Sequence, residues 1–156
     1  MNIRIATSQD SLLLSSLCQD VQRLHAKHHP DIFKIPATED FAVAFFDEML
    51  ADKNVAVFIA EENGQAVGYI LCKLIERPES PFTLPVRYVL IDQISVRPLE
   101  QGGGIGTALM KSAESHAKEL GVDKIQLDSW DFNTKAHVFF EDMGFDKFNF
   151  RFWHKI

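Results

Sequence analysis

The sequence predicts a mixed α/β fold, a single domain over residues 1–156 built on a mostly antiparallel sheet flanked by about four helices. Three observations lead there. The β-branched apolar run Tyr88–Val96 is followed by a glycine turn, Gln101–Gly106, and then by apolar residues at helical spacing up to Gly121, so strand, turn and helix follow in order. The runs Val55–Glu61 and Ala66–Ile75 flank Asn63-Gly64, whose tolerance of positive φ suits the two-residue turn of an antiparallel hairpin. Finally, 156 residues suffice to bury one apolar core without staples.

Taken in order, Ile3 and Ile5 alternate with polar residues as a short first strand. Thr7 or Ser8 can cap a helix that carries Asp10 in its first turn, runs to about His28 and buries Leu13, Leu17, Val21 and Leu24. His25, His28 and His29 are spaced to share a helical face before Pro30. With no cysteine nearby and Asp31 the adjacent carboxylate, they read as a surface or pocket-lining group and not as metal ligands. Thr38 can cap a second helix with Phe41, Phe45 and Met49 on one side and Phe46 and Leu50 adjoining. The hairpin follows, and three prolines between Arg77 and Pro85 then mark a loop. Pro98 stops the strand ending at Val96, because its nitrogen cannot donate to a ladder. In the helix beyond the glycines, Leu109, Ala113, Ala117 and Leu120 share a face; Lys124–Trp130 reads as a strand that this crossover makes parallel to the one ending at Val96. A last helix opens near Asn133, and the alternation Phe148, Phe150, Phe152, His154, Ile156 predicts a final strand.

The glycine turn carries the chemistry. The first amides of a helix lack intrahelical acceptors and sit at the positive end of its dipole, and glycines let successive N–H groups converge on an anion. A pyrophosphate fits. Thr107-Ala108 after Gly106 is not the Lys-Ser/Thr of a P-loop, and neither Leu109 nor Thr107 supplies the third small residue of a dinucleotide fingerprint. Gln101, Gly104 and Gly106 do match Gln/Arg-x-x-Gly-x-Gly/Ala. Together with Ile94-Ser95-Val96-Arg97-Pro98 upstream and Asn133-x-x-Ala136 leading to Gly144-Phe145 downstream, this resembles the GNAT superfamily of acetyl-CoA-dependent N-acetyltransferases.

The resemblance implies a twisted sheet splayed between strands four and five, and acetyl-CoA held as co-substrate. It places Ile94, Ser95 and Val96 beside the acetyl arm, Gln101, Gly102, Gly103, Gly104, Ile105, Gly106 and Thr107 on the diphosphate, and Asn133, Ala136, Phe139 and Phe140 along the pantetheine. The N–H near Val96 would polarise the carbonyl. Asp92 stands where polyamine acetyltransferases of this superfamily carry a basic glutamate, and being one methylene shorter it would work through water; a structural ion pair with Arg87 or a histidine is the other reading. An N-capping role for Asn133 stays open. Phe140 occupies the position of the family's proton-donating tyrosine and cannot donate, which leaves His137 as a water-mediated substitute and Tyr88 as a pocket candidate. The first two helices would wall the acceptor site, so His25–Phe41 is the expected selection region.

The formal net charge of −6 disfavours nucleic acid as a partner and suits a cationic acceptor. No run is apolar enough to span a membrane, no signal peptide is evident, and Cys18 and Cys72 show neither metal nor redox spacing, so a cytoplasmic setting is expected. The expected partner is a small-molecule primary amine, with a protein amine as the alternative acceptor and a non-catalytic acyl-CoA sensor as the alternative activity. A homodimer completed at the last strand is expected.

Overall fold

A computed structural model describes residues 1–156. The elements are β1 (Asn2–Ile5), α1 (Ser11–His28), α2 (Val43–Ala51), β2 (Val55–Glu62), β3 (Gln65–Arg77), β4 (Val86–Val96), α3 (Ile105–Glu119), β5 (Ile125–Leu127) and α4 (Thr134–Asp142). They form one five-stranded sheet in the order β1-β2-β3-β4-β5, antiparallel except for the β4–β5 pair. The hairpin turn is as expected, Asn63 and Gly64 both taking positive φ (50° and 78°).

Strand alternation sorts the core into two layers. Ile70, Cys72, Val89 and Ile91 pack on Ile105, Leu109, Met110, Ala113 and Ala117 of α3. On the other face Val57, Ile59, Tyr69 and Leu71 meet Leu14, Leu17 and Cys18 of α1 and Phe46 of α2. Phe46, fully buried, is the centre of the α2 contact, whereas Phe41 is exposed and Phe45 and Met49 are half-buried. In α1 the buried stripe is Leu14, Leu17 and Cys18, with Leu24 exposed, a rotation of about one residue from the expected stripe.

The helix starts also differ from expectation. Asp10, not Thr7 or Ser8, is the N-cap residue of α1, and its carboxylate faces backwards to accept from the Thr7 amide (2.7 Å) and from Arg4 through two bonds (2.8 and 2.9 Å). The α2 cap is Ala42; Thr38 donates to Asp40 instead. Polar side chains of α1 hold the connection in place: Gln19 donates to the Thr38 carbonyl (2.8 Å), and Ser15 to that of Glu39 (2.6 Å).

Two strands are corrected. β5 pairs with β4 for three residues, Ile125–Leu127 against Val89–Ile91, and Asp128 to Trp130 leave the ladder. The expected final strand is absent: residues 145–156 have no strand pairing, and Phe148, Phe150, Phe152, Trp153 and Ile156 lie exposed. Alternation supplies an amphipathic strip, but a strand exists only where its backbone pairs, and residues 145–156 pair with neither edge strand, β1 nor β5.

Candidate active site

Because β5 pairs only with Val89–Ile91, the C-terminal half of β4, from Asp92 to Val96, has no strand partner on that side. Along that half, the Arg97 amide donates to Val67 (2.8 Å), so the neighbouring pair Gly68–Val96 is of the non-hydrogen-bonded kind and the Val96 N–H points away from β3. Consistent with this, the Val96 carbonyl is met from outside the ladder by the Gln101 side-chain amide (3.0 Å). Val96 thus turns a donor toward the space β5 has vacated. Gly68 permits the approach, since a Cβ there would lie 2.7 Å from the Ser95 carbonyl. Ile94 packs into the α3 layer, and Ser95 is buried and donates to Leu17 (3.3 Å), which fixes α1 to this strand.

Past a single 3-10 turn at Pro98–Glu100, the glycine loop enters α3. Gly102 and Gly104 take φ of 85° and 82°, with Gly104 at the N-cap. The first helical bond is Ala108 N–H to the Gly104 carbonyl (3.0 Å), and none of the seven amides from Gln101 to Thr107 finds an acceptor in the protein. Ile105 turns its side chain into the core, and the bare Gly106 lets the Phe139 ring pack close, a Cβ there lying 3.2 Å from it. This run of exposed donors at a helix start fits the diphosphate of a coenzyme. Gln101 contributes its amide to that run while its side chain ties the loop to the strand end.

On α4, Asn133 is the N-cap residue, yet its half-buried side chain makes no capping bond. Ala136 and Phe139 are half-buried, Phe139 against α3; Phe140 is only 8% exposed and packs on Phe139 and Phe145. His137 spends its Nε2 on the Trp130 carbonyl (2.9 Å) and does not stand free as a proton donor; the Tyr88 hydroxyl accepts from Arg77 (2.8 Å), which leaves its own O–H without an acceptor in the protein.

Asp92 is the residue that interrupts the β3–β4 register: Leu71 pairs with Gln93 and Cys72 with Ile91, leaving Asp92 as a bulge. A bulge turns two successive side chains to one face. Asp92 and Gln93 therefore both point to the α1–α2 side, where Tyr69 donates to Gln93 (2.6 Å) and Lys73 to Asp92 (3.0 Å). The ion pair expected with Arg87 or a histidine is thus made by Lys73; Arg87 pairs with Glu76 (2.7 Å). Burial pushes the Tyr69 hydroxyl well above its ordinary value and the thiols of Cys18 and Cys72 up, Cys72 to about 12, so none of the three serves as a base. Sequence reasoning alone misses Gln93, Lys73 and Tyr69. A lysine within the apolar run Tyr69–Ile75 is the available signal, but only the bulge register shows which residue it faces.

The three histidines do not form a ligand group. His28 stacks on Phe132 (4.2 Å, 7° between planes), His29 lies against Trp130 (4.8 Å), and His25 meets Phe33 (4.8 Å) and gives its Nδ1 to the Val21 carbonyl (2.6 Å). They fasten the end of α1 to the loop between β5 and α4. No helix is long and apolar enough to cross a membrane.

The chain is similar to several known proteins. The model of the Acetyltransferase (GNAT) family matches residues 18–145. An N-alpha-acetyltransferase of Sulfurisphaera tokodaii is 29% identical over 117 residues, covering 73% of this chain and 70% of that one. A tetramutant of the BH1408 protein from Bacillus halodurans is 26% identical and superposes over the full length of both chains with a TM-score of 0.91. An aminoglycoside N-acetyltransferase in complex with CoA shares the fold, with a TM-score of 0.78 at 17% identity over 99% of this chain and 93% of that one. The matched model spans most of the sequence, including the glycine loop and the Asn133 helix: the chain belongs to the GNAT family, whose acetyl donor is acetyl-CoA, and is an acetyl-transferring enzyme.

Proposed function

We propose that the protein transfers an acetyl group from acetyl-CoA to a primary amine of a small molecule by direct attack in a ternary complex. The observation that carries this is the run of seven unpaired amides, Gln101–Thr107, that follows a β4 end whose Val96 N–H points away from β3 and has no partner in the protein. Bound acetyl-CoA supplies a thioester carbonyl as electrophile and a thiol as leaving group. The amides at 101–107 hold the diphosphate, and the free Asn133 side chain bonds the pantetheine, with Ala136 and Phe139 along its path. The Val96 N–H polarises the carbonyl, a preorganised donor of a kind worth a few kcal/mol of barrier.

Asp92 takes the amine proton through a water. It is aimed by the bulge to the α1–α2 side, where the acceptor enters, and its second oxygen accepts nothing from the protein. Phe140 is a core ring, so no side chain of α4 protonates the thiolate; water does so. A thiolate leaves without full protonation more readily than an alkoxide, so the loss of acid catalysis slows the reaction without stopping it.

Coenzyme release, followed as free thiol with acetyl-CoA and a panel of primary amines, tests the reading. Release above hydrolysis for at least one small amine is expected; release only with peptide or protein amines would move the acceptor to that class. The Asp92→Asn variant should lose about 10²–10⁴-fold in kcat with little change in coenzyme affinity. A kcat equal to that of the parent removes Asp92 as the base.

We also infer a homodimer in the cytoplasm. The exposed strip Phe148, Phe150, Phe152 and Trp153 is large for a lone surface, and the three-residue β5 leaves the edge of the sheet nearly bare.

A further inference from the structure

We infer that the acceptor carries a carboxylate beside its reacting amine, and that Lys73 selects it. This rests on the transferase reading and deepens it by naming the substrate class.

The face of β3 and β4 that looks toward α1 and α2 is apolar over most of its length. Tyr69, Leu71, Leu90 and Tyr88 lie on it, with Ile75 half-buried among them. Into this floor the bulge introduces Asp92, and the facing strand sets Lys73 beside it, Nζ to Oδ1 at 3.0 Å. The Lys73 head is steered by the Phe45 ring, whose centroid lies 5.8 Å from Nζ. Both side chains are about three-quarters covered, at 24% and 27% exposure, so the charges meet a ligand in a setting less screened than open water. Neither is saturated. One Asp92 oxygen and two of the three Lys73 N–H groups have no partner in the protein. Arg77, further along the same strand face, adds a second cation at the outer end.

An ion pair with an unused acceptor on one side and unused donors on the other is complementary to a zwitterion. The ammonium of an amino acid would engage Asp92 through the water that relays its proton, and its carboxylate would meet Lys73 in a direct charge-assisted bond. A polyamine has no group for Lys73, and its second ammonium would be repelled by Lys73 and Arg77. The position of Asp92 taken alone resembles that of a polyamine-type base; the lysine beside it reverses the preference for what surrounds the amine.

The test uses acceptor pairs that differ only in the carboxylate: L-lysine against cadaverine, L-ornithine against putrescine, and 2,4-diaminobutyrate against 1,3-diaminopropane. For the full chain with acetyl-CoA, kcat/KM should favour the amino acid at least tenfold in one or more pairs. Lys73→Met, which keeps a stem over Phe45 and removes the charge, should erase that preference mainly through KM, Lys73→Glu should reverse it, and Lys73→Arg should retain it. Thiol release that favours the diamine in every pair, or a preference untouched in Lys73→Met, overturns the inference and leaves the transferase reading standing. No release with any amine overturns that reading, and the inference with it. Equal thermal stability of the variants separates selectivity from misfolding.

Discussion

Asp10 holds together the first turn of the molecule through bonds that no spacing rule anticipates. Its carboxylate receives two bonds from Arg4 and one from the Thr7 amide, and the Arg4 bonds pull it from an ordinary 3.8 to about 2, while Arg4, bonded to both Asp10 and Glu61, is raised. A folded value below the ordinary one stabilises the fold fully above about pH 4, and the gain is lost as pH falls through about 2. Asp10→Asn should therefore cost on the order of 1–2 kcal/mol at pH 7, and the gap should close near pH 2. Urea melts of both proteins between pH 2 and pH 7 check this; parallel profiles would contradict it. Gly68 is the second residue whose weight is invisible in a sequence. Gly68→Ala would drive a Cβ into the Ser95 carbonyl, 2.7 Å away, and so displace β4 where Val96 presents its N–H. The expected loss is about 1–3 kcal/mol in stability, with a fall in kcat that exceeds the loss of coenzyme affinity. Melting curves and steady-state rates with calorimetric Kd separate the two effects.

Elements with strong local signals are legible in the sequence: the Asn63-Gly64 hairpin, α3 with its Gly121 stop at φ 67°, and the glycine turn itself. Turn chemistry and helical period are local, and the residues that set them are adjacent. What is not legible depends on partners. The β4 bulge adds one residue, Asp92, to an otherwise apolar run, and nothing in that run marks where the ladder slips. The α1 stripe is turned by one residue because Ser11, Ser15 and Gln19 face inward to bond the α2 helix and the segment before it. The glycine loop yields the prediction proper to this scale. Gly104 sits at φ 82° with no atom within 4 Å of the place a Cβ would take, so Gly104→Ala imposes left-handed strain of roughly 1–2 kcal/mol at the N-cap without a clash. Relief of that strain would turn the amides that follow. CoA affinity should fall about tenfold while the acceptor KM changes little; calorimetry and kinetics together report it, and an unchanged Kd would show that the loop does not grip the coenzyme.

Across the whole molecule, two helical layers clamp the sheet, and their different tasks meet on β4. The α3 layer carries the unpaired amides of residues 101–107 at its start and the α1–α2 layer faces Asp92, with the splay after Leu127 opening between them. The expectation of a splay rests on family resemblance, because the three-residue extent of β5 is a pairing property that the strand-like Lys124–Trp130 does not reveal. The aromatic tail is the other feature set at this scale. Removal of residues 147–156 should turn a dimer into a monomer in sedimentation velocity, and a monomeric full-length chain would contradict the dimer. The most direct test of the account is the amide spectrum of the ¹⁵N-labelled protein titrated with CoA and with pantetheine, which lacks the diphosphate. CoA should shift the resonances of residues 102–107 while pantetheine leaves them in place and perturbs Asn133. Binding that leaves 102–107 unmoved, or no binding at all, would contradict the claim on which the rest depends.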